Sequence, residues 1–258
     1  MFIRPLLTIL LLVSVRVALA QAPDSDPRAV GLLQQVLNNS GMTAAPFHSF
    51  TAQGTITYFW AGQPVQGSAT IRARGNDQFR LDANLPDGVR SVSTSRRGGN
   101  RKTSDGKVSK IPVHNTVNGG ILTLPYPAIA AYLADPDATI SYVEQTDVGG
   151  TPAHLVRVTR TLSEYVDPGG VLAALSRSDY FIDVQSWRVI RIEDSIHSVQ
   201  SMAESYPHAI EFEEYYAASG IVVPALVRET VGGQTTWEFR LSDIRFNPAL
   251  RDEDFSLE

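Results

Sequence analysis

Five histidines, His48, His114, His154, His197 and His208, are the side chains of this chain best suited to proton transfer or metal ligation. No two of them stand at i, i+2 or i, i+4, so no single strand or helix turn presents a pair to one ion. Ser104 and Lys107 form S-x-x-K, the spacing by which a lysine one helical turn on can activate a serine. The residues between them are Asp105-Gly106, a turn signature, which removes the helix that this chemistry needs. Glu211 and Glu213 alternate with Ile210 and Phe212, the pattern of an exposed strand face and not of an acid/base pair. The acidic pairs Asp24/Asp26, Asp135/Asp137 and Asp252/Asp254 lie at element edges and read as caps and turns rather than calcium ligands. A nucleophile elbow, a phosphate loop, a dinucleotide fingerprint and H-E-x-x-H are missing. With no cysteine there is no thiolate metal site and no disulfide framework. The expectation is a protein that is not an enzyme and uses no cofactor and no metal.

The aromatic residues offer binding chemistry instead. Tyr58, Trp60, Phe79, Tyr142, Tyr180, Phe212, Trp237 and Phe239 all fall on the apolar phase of alternating segments. They make either an ordinary core or a curved face left open for an apolar ligand.

The elements that must position them are mostly strands. Asp26-Pro27 reads as an N-cap with proline at the first helical position, and Val30, Leu33, Val36 and Leu37 recur at helical spacing, which predicts a helix over 27–40. In 50–60, Phe50, Ile56, Tyr58 and Trp60 share one face; in 65–74 Ile71 does so, and in 78–85 Phe79 and Leu81. These seven residues are expected on one concave side of an antiparallel meander. Two further strands are expected at 89–97 and 106–111, with the stretch GGNRKTSDG between them read as a mobile turn. The period then changes: Pro127 and Pro136 bracket a short helix over 127–134, with Leu122, Ile129, Tyr132 and Leu133 expected to cover the mouth of the concave face. Gly119-Gly120, Pro125 and Pro127 stand as its hinges. Strand patterns resume at 139–147, 153–162, 179–184, 188–195, 209–217, 222–230 and 235–246, with Phe212 in 209–217 and Trp237 and Phe239 in 235–246. Residues 163–178 read as an excursion with one helical turn.

The N-terminus carries Arg4, an apolar stretch from Pro5 to Val15 and the triplet Ala18-Leu19-Ala20, a secretory signal cleaved after Ala20. Its 11 apolar residues fall short of the roughly 20 of a membrane span. A polar leader, 21–26, precedes a single domain, 27–258. The net charge of −5 argues against nucleic acid as a partner. Arg90, Arg96, Arg97, Arg101, Lys102, Lys107 and Lys110 nevertheless fall within 21 residues, either a solvated basic edge or a site for anions or lipid headgroups.

The C-terminal sequence EFEEYYAASGIVVPALVRE, followed by WEFRLSDIRFNPALRDEDFSL, resembles the close of the periplasmic lipoprotein-carrier superfamily, the LolA/LolB-like proteins. Gly220, Pro224, Asn247, Leu250, Asp252 and Phe255 match that grammar. The resemblance implies an α+β chain dominated by one unclosed antiparallel half-barrel of about eleven strands, with helices packed across its concave face. It also implies a periplasmic carrier holding a lipid or lipoprotein acyl chain, acting as a monomer with an envelope membrane protein as donor or acceptor. The family's lid is held by an arginine from the early strands, for which Arg72 or Arg74 is the candidate here. Two rivals stand beside the carrier: an envelope-stress sensor of the same fold that regulates a partner, and a hydrolase with a scattered site.

Overall fold

The computed structural model describes residues 25–60, 63–118 and 123–257. The expected signal segment 1–20, leader positions 21–24, Leu122 and the Gly119-Gly120 hinge lie outside these residues, as does the side chain of Trp60. The chain opens with helix α1 (Pro27–Asn39), whose N-cap Asp26 accepts a hydrogen bond from the Arg28 amide at 2.8 Å. A meander follows: β1 (Ser49–Trp60), β2 (Gln63–Arg74), β3 (Gln78–Leu85), β4 (Gly88–Ser95), β5 (Gly98–Lys102) and β6 (Val108–Ile111). Helix α2 (Tyr126–Ala134) separates it from β7 (Ala138–Val148) and β8 (Thr151–Arg160). The short helix α3 (Val171–Leu175) then leads to β9 (Ser178–Asp183), β10 (Val189–His197), β11 (Ser205–Ala218), β12 (Ile221–Val231) and β13 (Gln234–Phe246).

These thirteen strands form one antiparallel sheet in the order β6-β5-β4-β3-β2-β1-β13-β12-β11-β10-β9-β8-β7. The order closes β1 against β13 and leaves β6 and β7 as free edges, an open half-barrel. Alternation decides the faces. In β3, Phe79, Leu81, Ala83 and Leu85 are buried while Gln78, Arg80, Asp82 and Asn84 are not. Residues paired across strands share a face, so Phe79 lies with Ala73 and Phe50, and Leu81 with Ile71 and Ala52. Both helices pack on this face: α1 buries Ala29, Val30, Leu32, Leu33 and Val36, and α2 buries Tyr126, Pro127, Ile129 and Tyr132.

The sheet has two strands more than the roughly eleven that the resemblance implies. One of the thirteen, β5, lies in the stretch read from sequence as a mobile turn. Gly99 pairs with Thr94 there, and a side chain at that position would meet the Ser93 carbonyl at 2.2 Å. Its glycines therefore mark close strand approach and not a loop. The excursion at 163–178 does contain one helical turn, α3, and leaves Tyr165 98% exposed.

The residues that carry the family resemblance are structural. Asn247, at φ 55°, accepts a hydrogen bond from the His48 amide at 2.8 Å and turns the chain onto the convex face. There Arg74 donates to the Leu250 carbonyl at 3.0 Å and to the Asp252 carboxylate, while Arg80 donates to the Ser256 carbonyl at 2.6 Å. Phe255 is buried beside the Arg74 guanidinium, 5.2 Å from ring centre to Cζ. Pro224 sits in β12 just before its pairing with β13 begins at Leu226, where its missing N–H breaks no bond of that ladder.

Candidate functional site

Cross-strand pairing builds the concave face as rows. One row runs Tyr58, Trp237, Glu229, Ile210, Ile192, Tyr180, Val156, Tyr142, from β1 to β7. A second runs Ile56, Phe239, Val227, Phe212. Gly54 makes room for this row, since a Cβ there would lie 2.8 Å from the Phe239 ring. Phe50, Ile56, Tyr58, Ile71, Phe79, Leu81, Phe212 and Phe239 are buried on this face, and Trp237 is half-buried against them. The described sheet residues anticipated for an apolar face are thus brought together on one side of one sheet.

Helix α2 lies over this face and is tied at both ends. The Tyr126 hydroxyl donates to the Val222 carbonyl at 2.6 Å, and the Tyr132 hydroxyl donates to the Asn118 carbonyl at 2.9 Å. Beyond the helix, Arg160 of β8 donates to Asp135 at 2.9 Å, with both side chains largely buried. Ile129 is 0% exposed and Tyr132 2%, whereas Leu133 is half-buried against the core. The sequence expectation was a lid facing a partly empty cavity, and here the structure differs. Ile129 and Tyr132 fill the space themselves, and the cavity that remains beside α2 measures about 40 Å³. That volume holds a few water molecules. Ligand pockets run from roughly 300 Å³ upward, so the space left beside α2 is too small to hold an acyl chain.

The cavity wall is polar where aliphatic residues would be expected. Asp194 and His208 lie directly opposite one another on β10 and β11, and both line it beside Asn118, Tyr180 and Ala128. His208, only 7% exposed, donates from Nδ1 to Asp194 Oδ1 at 2.5 Å and from Nε2 to Glu229 Oε1 at 3.3 Å. Thr236 donates to the other Glu229 oxygen, and Asn118 Nδ2 donates to Asp194 Oδ2 at 3.1 Å. Burial alone would lower the imidazole pKa, but hydrogen bonds to the two carboxylates outweigh it and raise the value to about 10. Burial first, and then the charge of Glu229, push the Tyr58 phenol up to about 12. The two carboxylates and the histidine form a buried ion cluster that ties β10, β11 and β12 together.

Sequence reasoning missed this cluster because Asp194, His208 and Glu229 come from three strands and meet only through the register. The apolar phase of β11, in which His208 precedes Ile210 and Phe212 at steps of two, is a signal that could have placed it inside. The other candidates separate as their spacing implied. Glu211 and Glu213 lie on the convex face, where Arg228 binds them at 3.2 and 2.8 Å. Ser104 and Lys107 sit on a hairpin turn closed by the Thr103 amide donating to the Lys107 carbonyl at 3.0 Å. The arginine expectation needs correction. Arg72 is on the convex face paired with Asp82 at 2.6 Å, and Arg74 holds the C-terminal segment, so neither reaches the lid. Arg160, from the late strand β8, is the arginine bonded at the end of α2. The early strands alternate too strictly for Arg72 or Arg74 to point inward without flipping Ile71 and Ala73 out.

No protein-family model matches this chain, and no curated protein sequence does. Solved structures do. A domain described as that of an outer membrane lipoprotein-sorting protein from Vibrio parahaemolyticus aligns with a TM-score of 0.54 at 10% identity, over 88% of this chain and 96% of that one. A LolA superfamily protein from Nitrosomonas europaea gives 0.54 at 11% identity, over 87% and 97% of the two chains. A DUF1329 family protein from Desulfovibrio piger gives 0.53 at 10% identity, over 90% and 98%. At such identities the likeness establishes the fold alone, one shared with the LolA superfamily protein from Nitrosomonas europaea.

Proposed function

We propose that this chain is an exported, non-catalytic protein that binds a lipid or lipoprotein acyl chain between the concave face of the sheet and helix α2. The observation that carries the reading is the lid. An apolar face, interrupted by the Asp194, His208 and Glu229 cluster, is covered by α1 and α2, and α2 is anchored at its ends by single polar contacts of Tyr126, Tyr132 and Asp135. Drawing about 15 methylenes from a membrane costs roughly 12 kcal/mol at ~0.8 kcal/mol each. Burying on the order of 500 Å² of that chain at ~25 cal/mol per Å² offsets the cost. The cavity of about 40 Å³ cannot do so as it stands, so ligand entry requires α2 to swing away and give up the burial of Ile129 and Tyr132 to the acyl chain. The sorting role described for the Vibrio parahaemolyticus structure and the superfamily of the Nitrosomonas europaea structure support the same reading.

Native mass spectrometry of the chain purified from an exporting host, followed by lipid extraction, tests it. One lipid-sized adduct per chain, displaced by a fluorescent fatty-acid probe, is the expected result. A bare chain that binds no probe would leave a structural β domain in place of a carrier.

A further inference from the structure

The edge formed by β4, β5 and β6 has a charge unlike that of the rest of the molecule. Residues 88–111 hold seven cations, Arg90, Arg96, Arg97, Arg101, Lys102, Lys107 and Lys110, against the single acid Asp105, a net +6. The whole chain totals −5, so the other residues sum to −11. The second observation is pairing. Arginines on the convex face of the other strands are neutralised: Arg72 and Arg80 by Asp82, Arg157 and Arg177 by Asp179, Arg228 by Glu211, Glu213 and Glu238. Within this edge Arg90 pairs with Asp87 at 2.5 Å and Arg101 lies in the concave row beside Val92, but Arg97, Lys107 and Lys110 are exposed, and among the described residues none of these three makes an ion pair. The third is apolar. Val89 (51%) and Val108 (43%) stand exposed on the same convex face as Lys102 and Lys110, as the pairings Lys102 with Ser91 and Val108, and Asn100 with Ser93 and Lys110, require.

Protecting a free edge strand accounts for a lysine or two. The opposite edge, β7, carries Glu144 and Asp147 instead, so protection sets no sign and does not account for a net +6. We infer that the convex side of the β4–β6 edge is a docking surface for an anionic lipid bilayer, with Lys102, Lys110 and the exposed turn residues Arg97 and Lys107 toward the headgroups and Val89 and Val108 entering the interface. A second copy offering its acidic β7 edge is the weaker match. β6 is only four residues long, and the Asp26 amide already occupies the Ile140 carbonyl of β7 at 2.8 Å. The docking surface is separate from the concave face and stands whether or not an acyl chain binds there.

The test is co-flotation of the full chain with phosphatidylcholine vesicles, with and without phosphatidylglycerol. Binding is expected only with the anionic lipid, and to be lost at 1 M salt, where the screening length falls to about 3 Å. Each cation near an anionic surface contributes about fivefold to partition, so K107Q/K110Q should bind about thirtyfold more weakly. R245Q, which removes an exposed arginine beside Asp243 on β13, should bind like the parent. Melting temperature and circular dichroism report whether each variant is folded; R97Q/K107Q is the second double variant if the first is not. Equal binding to neutral vesicles, or parent-like binding by a folded double variant, would overturn the inference. So would a concentration-dependent, salt-sensitive dimer in sedimentation with no vesicle binding, which would assign the edge to a second copy.

Discussion

His208 shows at the scale of one residue how the sheet tolerates charge inside. Its folded pKa of about 10 lies above the usual 6.5, so its contribution to stability is fully present below pH 6.5 and is lost as pH rises through about 10. Chemical unfolding of the parent followed from pH 6 to 10.5 should therefore show an alkaline loss that is smaller in His208→Gln. Parallel profiles would mean that the imidazole does not hold its proton in the folded state. At pH 7, His208→Ala should cost about 3–5 kcal/mol, because it strands Asp194 and Glu229 without their counter-charge. The triple variant D194N/H208Q/E229Q should cost less than that single change, since it leaves no buried charge unpaired.

At the scale of elements, α2 is a helix whose packing and tethering do different work. Ile129 is fully buried, so Ile129→Ala should cost about 2–5 kcal/mol, whereas Leu133→Ala, half-buried, should cost about 1. Arg160→Gln removes the tether to Asp135 without touching the apolar interface. Stopped-flow fluorescence should show faster uptake of a fatty-acid probe in Arg160→Gln than in the parent, together with a lower unfolding midpoint, since the largely buried Asp135 loses its counter-charge. Uptake slowed in proportion to lost stability would instead make Arg160 a structural residue of the β8 end.

At the scale of the molecule, the sheet is stabilised from both sides. α1 and α2 cover the concave face, while the C-terminal segment crosses the convex face from Asn247 to Phe255 and is bound by Arg74, Arg80 and Ser93. That segment touches nothing in the proposed binding face. Phe255→Ala should therefore lower stability by about 3 kcal/mol in equilibrium unfolding and leave probe affinity at the parent's value under native conditions. A changed affinity in the folded variant would show that the two faces are coupled through the strands.

Period-2 alternation in residues 50–85 was enough to assign Phe50, Ile56, Ile71, Phe79 and Leu81 to one buried face, because a strand cannot shift register by one residue without turning that whole set outward. Asp26-Pro27 and the 3.6-residue spacing likewise located α1. The composition left no room for disulfides or thiolate metal sites. Three features were decided only by the fold. β5 escaped notice because its glycines are there for contact with the Ser93 carbonyl, which lies on another strand. The Asp194, His208 and Glu229 cluster is set by the pairing of β10, β11 and β12, and no spacing along the chain encodes that pairing. The arginine at the lid comes from β8 because Arg160 pairs with Ala138 of β7, three residues after Asp135 at the end of α2, a strand pairing that no spacing along the chain encodes.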